Sequence, residues 1–396
     1  MSTSYPGAVD SFPARSNGQT IQAAHVQNLQ DAVAAIETEL GTNPSGAATS
    51  VASSLLEIRA RELSPAQAEY GLSTGGSAAA NSTAITTCLA DANTAGTSVV
   101  IPGGTYAHQG ITYPADGRVN LRGAGVGKTV LNNTHASNAS IAATGVGGAG
   151  PTPYCERFKI SDLTLSASAI HAGQYGLALT LCTRFAIEDV FVEKHADGAR
   201  IVSAWRGSFR GVEANSNTNG FHFTSGYAGS TPLTFIDCHA GDNTGIGVWI
   251  EDAVEGLVWH GGDVDHNGTG MVITGNSSKV LTFTGLNFES NTGLDVQIGN
   301  VSTTPNSVNL NNCRHLRGST GTLAIDHQNG GPVNIVGCYF GNYTTAIHQS
   351  NVTGILSVVN PFVTGVTNFI NSDNQGVISD AGFILAAPWH ATSWNP

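Results

Sequence analysis

The sequence predicts an all-β solenoid, a parallel β-helix of about 25 residues per coil, preceded by a short α-helical segment. Three observations predict it. Asn217, Asn243, Asn267 and Asn291 recur at steps of 26, 24 and 24 residues, and a fixed period of this size marks a solenoid. Each is followed within three residues by a glycine (Gly220, Gly245, Gly270, Gly293) and preceded by a short alternating apolar run. Asparagine tolerates the left-handed backbone region, so a turn repeated once per coil would stack these side chains into a ladder. Finally, 49 glycines and only 11% charged residues suit a turn-rich β protein and argue against coiled coil or disorder throughout.

The first 70 residues differ from the rest. Val26, Leu29, Val33, Ile36 and Leu40 fall at steps of 3, 4, 3 and 4, a heptad seam that Gly41 and Pro44 terminate. A second helical stretch carries Val51, Leu55 and Ile58. Two heptads fit an amphipathic helix on its own domain and a self-association helix equally. The β-helix is expected over residues 75–396, with a helix at about 81–93 (Ala84, Ile85, Cys88, Leu89) covering its open first coil, and a C-terminal cap at about 365–396 carrying Trp389 and Trp394.

From about residue 118 the units align on Leu163, Val190, Val212, Cys238, Asp263, Leu286, Cys313, Cys338 and Pro361. Each holds three short strands of period 2, as in LTFTG–LNFES–NTG–LDVQI (281–298). A leucine-rich repeat has a similar period, and Phe283-x-x-Leu286-x-Phe288-x-x-Asn291 fits its core pattern. The second half of each unit alternates (GVWIE, GMVIT, GLDVQ), which favours strands over the helix of that fold.

The net charge of −12 disfavours nonspecific nucleic-acid binding and adhesion to an acidic membrane surface. No apolar run reaches the roughly 18 residues of a membrane span. The opening MSTSYPGAVDSFPARS carries no visible secretion signal, so synthesis in a cytoplasm is expected, with exit only by a route needing no cleaved leader. The six cysteines show no metal spacing, and Cys238, Cys313 and Cys338 read as a buried apolar column. GVGKT (125–129) is no P-loop, because Arg122 stands where that motif needs glycine. No cofactor and no metal site are expected.

Three stretches carry a family resemblance. NSTAITTCLADANTAGTSVVIPGGTY (81–106) and LRGAGVGKTVL (121–131) resemble the first coils of pectate-lyase-like right-handed β-helices. SYPGAVDSF…AAHVQNLQDAVAAIETELGTNPSG (4–46) resembles the N-terminal part of tail proteins from phages of actinobacteria. The combination is similar to phage tail spikes and tail fibres. It implies a virion protein made in the host cytoplasm. It also implies a homotrimer, an N-terminal anchor to other tail proteins, and a β-helix that meets host-surface polysaccharide without nucleic-acid binding or membrane insertion. A depolymerase (glycoside hydrolase or lyase) on the same β-helix, and more remotely a stand-alone bacterial enzyme, are the alternatives. The acidic residue common before the capping helix of that family is replaced by Ala80-Asn81-Ser82, and the acid, GHG and R-x-K set of polygalacturonases is absent.

Aligning the units on their asparagines stacks outward residues of the preceding strand: Glu213 and Asn215, His239 and Gly241, Asp263 and Asp265, Asn287 and Glu289, with Asp242 and His266 beside them. Neighbouring coils lie about 4.8 Å apart. Asp265 and Glu289 are then direct neighbours with Asp263 one alternation away, so one carboxyl is expected to hold a proton if shielded. That is glycosidase machinery, and Asp263, Asp265 and Glu289 are the catalytic candidates. A solvated acidic face, or oxygen ligands sharing a cation, are the other readings. His260 and Arg210, two coils apart with Ile236 between, form a second candidate face, and Glu188 is expected to pair with Arg210. In GVWIED, Val248 and Ile250 point inward and Trp249 outward, a platform for a sugar ring or an interface. Trp259 aligns with Phe235 and Phe283 and is expected in the core.

Overall fold

The computed structural model describes residues 27, 30, 31, 62–146, 154–224, 230–251, 254–275, 278–300, 307–329, 331–350 and 355–372, and the backbone of 378–381 and 384–385. The chain divides into two compact units, Met1–Leu63 and Ser64–Pro396. In the first, residues 27, 30 and 31 are helical, and Gln27 Nε2 donates to Asp31 Oδ1 at 2.8 Å, one helical turn on. The heptad positions Val26, Leu29, Val33, Ile36 and Leu40, the stretch Val51, Leu55 and Ile58, and the expected cap residues Trp389 and Trp394 lie outside the described residues.

The second unit is a right-handed parallel β-helix of about ten turns. Its strands form three parallel ladders, each strand hydrogen-bonded to its equivalent one coil away. The first ladder runs through Gly207–Arg210, Leu233–Ile236, Leu257–His260 and Leu281–Thr284. The second runs through Glu213–Asn215, His239–Gly241, Asp263–Asp265 and Asn287–Glu289. The third runs through Asn219–Phe223, Ile246–Ile250, Thr269–Ile273 and Val296–Ile298. Alternate residues of each strand face inward, so one coil delivers three apolar faces to a common axis. On that axis Phe209, Phe235 and Trp259 stack nearly parallel at 4.3 and 4.5 Å, and all three are fully buried, as expected of Trp259.

Helix α1 (Ala78–Ala95) covers the first coil, packing on strands Ser98–Val100, Gly104–His108 and Ile111–Thr112. Ser77 caps it by accepting the Ala80 N–H, and Gly96 ends it at φ 66°. Its buried stripe is Asn81, Ala84, Ile85, Cys88, Leu89 and Ala92. Asn81 is a tie rather than an acid: its Nδ2 donates to the carbonyls of Ser73 and Ala107, both at 2.9 Å, and its Oδ1 accepts the Ser73 N–H.

The asparagine ladder is present and fully internal. Asn217, Asn243, Asn267 and Asn291 are buried, and each Oδ1 accepts a backbone N–H from the coil before, at 2.9 Å (His195 N), 3.0 Å (Asn217 N), 3.2 Å (Asn243 N) and 3.0 Å (Asn267 N). Each Nδ2 reaches a carbonyl of the preceding coil, of Val192, Ala214, Ala240 and Val264 in turn. The left-handed residue is not the asparagine but the one before it: Ser216, Asp242, His266 and Ser290 have φ of 53–56°. The backbone kink thus aims the next side chain inward, where its amide satisfies groups the turn would otherwise orphan.

One alignment shifts. Cys238 pairs with Gly262, not Asp263, so the steps from Cys238 to Gly262 and on to Leu286 are both 24 (262−238 and 286−262). Gly262 sits at φ +89°, and a Cβ there would fall 1.9 Å from the Cys238 carbonyl oxygen, so this rung of the apolar column has no side chain. Cys238, Cys313 and Cys338 are buried free thiols. No helix among the described residues is long and apolar enough to cross a membrane.

Candidate functional site

The outward side of the second ladder carries the acids in the expected register: Glu213 beside His239, His239 beside Asp263, Asp263 beside Asn287, and Asp265 beside Glu289. Their side chains are partnered differently from the expectation. Asp265 turns back to His239, with Nε2 2.6 Å from Oδ1, and to His266, with Nδ1 3.1 Å from Oδ2. Partial burial raises the Asp265 carboxyl, but the hydrogen bonds and charges of His239 and His266 outweigh it and hold the group below its ordinary value. The Asp265 hydrogen bond in turn lifts His239 above the ordinary imidazole value, against partial burial, helped by the charges of Asp265, Asp263 and Glu213. A proton shared between Asp265 and Glu289 is therefore not the arrangement found; Asp265 is the anionic partner of histidines.

Glu289 and Asp263 turn the other way. Asn287 Nδ2 donates to Asp263 Oδ1 at 3.0 Å and to Glu289 Oε2 at 3.2 Å, and Arg314 Nη1 lies 3.6 Å from Glu289. Asp242 is an exposed left-handed turn residue beside this face. Among the described residues no three His, Cys, Asp or Glu side chains come together to hold a metal ion.

On the first ladder, Arg210 and His260 are exposed and flank Ile236, as expected. Glu188 is the register partner of Arg210, yet its carboxylate bonds the ammonium of Lys159 on the other side.

The third ladder holds the groove. Trp249 faces outward, half-buried, in a column His222–Trp249–Val272–Gln297. With Ile246, Glu251, Thr269, Thr274 and Asn300 it lines a depression of about 510 Å³. The His222 ring lies parallel to Trp249 at 4.2 Å, which fixes the indole plane on the rigid sheet. Each His222 ring nitrogen faces a carboxylate: Nδ1 is 2.9 Å from Asp197 Oδ2 and Nε2 3.0 Å from Glu251 Oε2. Thr224 Oγ1 also donates to Glu251 at 2.9 Å. Burial raises the Asp197 carboxyl, but the bond and charge of His222, the Asn219 amide and the Arg200 charge hold it below its ordinary value. A carboxylate–imidazole–carboxylate chain thus runs from the buried Asp197 to the half-exposed Glu251 at the groove edge.

The structure does not bring the sequence candidates into one site. Trp249 lies on the third ladder, Glu213, His239, Asp263, Asp265 and Glu289 on the second, and Arg210 and His260 on the first. Glu251, His222 and Asp197 were missed. Extending the alignment through the inward pairs Phe221-x-Phe223 and Val248-x-Ile250 would have set His222 under Trp249.

No protein-family model matches the chain, and no curated protein sequence matches it. Solved structures do. The A-module of the mannuronan C-5 epimerase AlgE6 of Azotobacter vinelandii is 16% identical with a TM-score of 0.58, over 82% of this chain and 99% of that one. ORF18 of Geobacillus virus E2 is 16% identical with a TM-score of 0.57, over 84% of this chain and 64% of that one. The Dettilon tailspike protein is 11% identical with a TM-score of 0.50, over 87% of this chain and 73% of that one. At these identities the likeness is one of fold.

Proposed function

We propose that this chain is a phage tail spike or tail fibre protein that binds a host-surface polysaccharide through the Trp249 groove. The observation that carries the reading is an indole whose plane is fixed by the stacked His222 ring on a rigid sheet, among hydrogen-bonding groups (Glu251, Thr269, Thr274, Gln297, Asn300) in a depression of saccharide size. The β-helix is also the fold of the Dettilon tailspike and the Geobacillus virus protein, and the N-terminal sequence resembles phage tail proteins. Attachment to other tail proteins through residues 1–70, and a homotrimeric virion component, belong to the same proposal.

The second reading is a depolymerase, favoured by the polysaccharide-acting epimerase among the similar structures and by the carboxylates near both faces. Glycoside hydrolysis needs two carboxyl groups flanking the bond. Among the described carboxylates of the groove only Glu251 is open to a ligand, since Asp197 is 3% exposed behind His222 and Arg200. Binding without cleavage is therefore the first reading.

The test is affinity electrophoresis of the purified protein against surface polysaccharides of candidate hosts, with a reducing-end assay on whichever is retained. Trp249→Ala is expected to lose about tenfold in affinity, the value of one aromatic–sugar stack of roughly 1.4 kcal/mol. Retained affinity in that variant would remove the groove from the account. Reducing ends that vanish with Glu251→Gln would establish cleavage at the groove. Loss with Asp265→Asn plus Glu289→Gln instead would move the chemistry to the second ladder.

A further inference from the structure

The turn between the third and first ladders carries an arginine on four successive rungs. Asn120 and Ala186 both pair with Lys159, and Ala186 also pairs with Ser208, so Arg118, Arg157, Arg184 and Arg206, each two residues earlier, share one column. These are four of only 16 Lys and Arg in a chain of net charge −12. The side chains of Arg118, Arg157 and Arg184 are 64%, 55% and 45% exposed, and Arg206 is exposed as well.

Nothing in the fold asks for arginine here. Like charges on adjacent rungs repel. Arg157, Arg184 and Arg206 also sit at φ of 57, 53 and 54°, a region that glycine and asparagine occupy at less strain. Further along, the same column holds Pro232, Gly256 and Val280, so the turn is built without charge elsewhere. One carboxylate serves the cluster: Glu156 lies 3.1 Å from Arg118, 3.5 Å from Arg184 and 3.9 Å from Arg157. Among the described residues Arg206 has no ion pair. In the adjoining column Trp205 pairs in register with Thr183, which pairs with Glu156, and the exposed Tyr154 packs edge-on against Trp205 at 5.3 Å.

We propose that this column is a second binding site, which takes a linear acidic polysaccharide running along the solenoid axis. Rungs about 4.8 Å apart give four guanidinium groups over roughly 14 Å, a row that meets carboxylates or phosphates repeating along a chain. Guanidinium forks suit either oxyanion, and the Trp205–Tyr154 surface offers aromatic area for a sugar ring. Glu156 is the internal competitor that a bound acidic chain would outbid. This inference rests on the glycan-binding reading and narrows it to acidic glycans.

The experiment is affinity electrophoresis of the full chain in gels holding polygalacturonate, poly(glycerol phosphate) or neutral dextran, with a DNA gel beside them. Retention by at least one acidic polymer is expected, falling as salt rises. Arg184→Gln with Arg206→Gln should weaken it at least about tenfold. Glu156→Gln should strengthen it, which keeps the test decisive if the double variant does not fold. The polymer retained distinguishes carboxylate from phosphate recognition. No retention by either polymer, retention indifferent to all three substitutions, or equal retention by DNA would overturn the inference. Because Trp249→Ala reports on the groove separately, a glycan held through Trp249 but indifferent to the arginines would leave the proposed function standing and sink only this site.

Discussion

Asn267→Ala tests the ladder at its middle. The side chain makes four hydrogen bonds: Oδ1 accepts the Asn243 N–H at 3.2 Å and Asn243 Nδ2 at 2.8 Å, and Nδ2 donates to Ala240 O at 2.9 Å and Asn291 Oδ1 at 3.0 Å. Some partners are buffered, because Asn243 Nδ2 also donates to Ala214 O and Asn291 Oδ1 still accepts the Asn267 N–H. The Asn243 N–H is not, and it is left without this acceptor at the core of the stack. The lost bond to Ala240 O at about 1 kcal/mol, plus roughly 2 kcal/mol for the orphaned Asn243 N–H, make about 3 kcal/mol. The assay is thermal unfolding followed by far-ultraviolet circular dichroism. Thr244→Ala, an exposed neighbour of the ladder, is the control. A melting temperature lowered by several degrees in Asn267→Ala and unchanged in Thr244→Ala is expected. Equal melting temperatures for all three proteins would refute the claim that the ladder side chains hold the coils in register.

Two pH predictions follow from the histidines. Burial pushes His108 down to about 3, and His195 and His327 down to about 4, from 6.5. A folded value below the unfolded one means that unfolding takes up protons below pH 6.5. The stability these groups allow is complete above that pH and declines as pH falls towards 4, at up to about 4 kcal/mol per unit for three groups. Denaturant melts should show this decline, and a flat profile between pH 7 and pH 4.5 would contradict it. The His239–Asp265 pair has the opposite sign on its basic side. The raised His239 stabilises below 6.5 and loses that contribution as pH rises through its folded value, while the lowered Asp265 loses its contribution only in acid. The destabilisation caused by Asp265→Asn should therefore be largest near pH 5 and smaller at pH 9, and a difference independent of pH would remove the ion pair. Deleting residues 1–64 should change the mass measured by light scattering if that segment drives assembly, and an unchanged oligomer would place the contacts in the β-helix.

Much of the architecture was legible because period and alternation are backbone properties. The step between asparagines set the register that pairs Asp265 with Glu289, and the alternation in GVWIED set Trp249 outward. The left-handed residue was misplaced by one because asparagine satisfies the propensity argument, while the structure uses it for its buried amide. Gly262 hid because a rung without a side chain leaves no mark in an apolar pattern. The candidate site was legible only in part. Shared register says which residues are neighbours, not which way their side chains turn. Asp265 therefore faces His239 rather than Glu289, and Glu188 faces Lys159 rather than Arg210. His222 reads as an ordinary polar position until the third strands are aligned with one another, and Asp197, one coil further back opposite Asn219, joins it only through the direction its side chain takes.

The most direct test of the central claim is a crystal structure with an oligosaccharide cut from the polysaccharide that the protein retains. The account predicts a sugar ring stacked on Trp249, with hydroxyls bonded among Glu251, Thr269, Thr274 and Gln297. A saccharide seated instead over Asp263, Asp265 and Glu289, with the Trp249 groove empty, would contradict it.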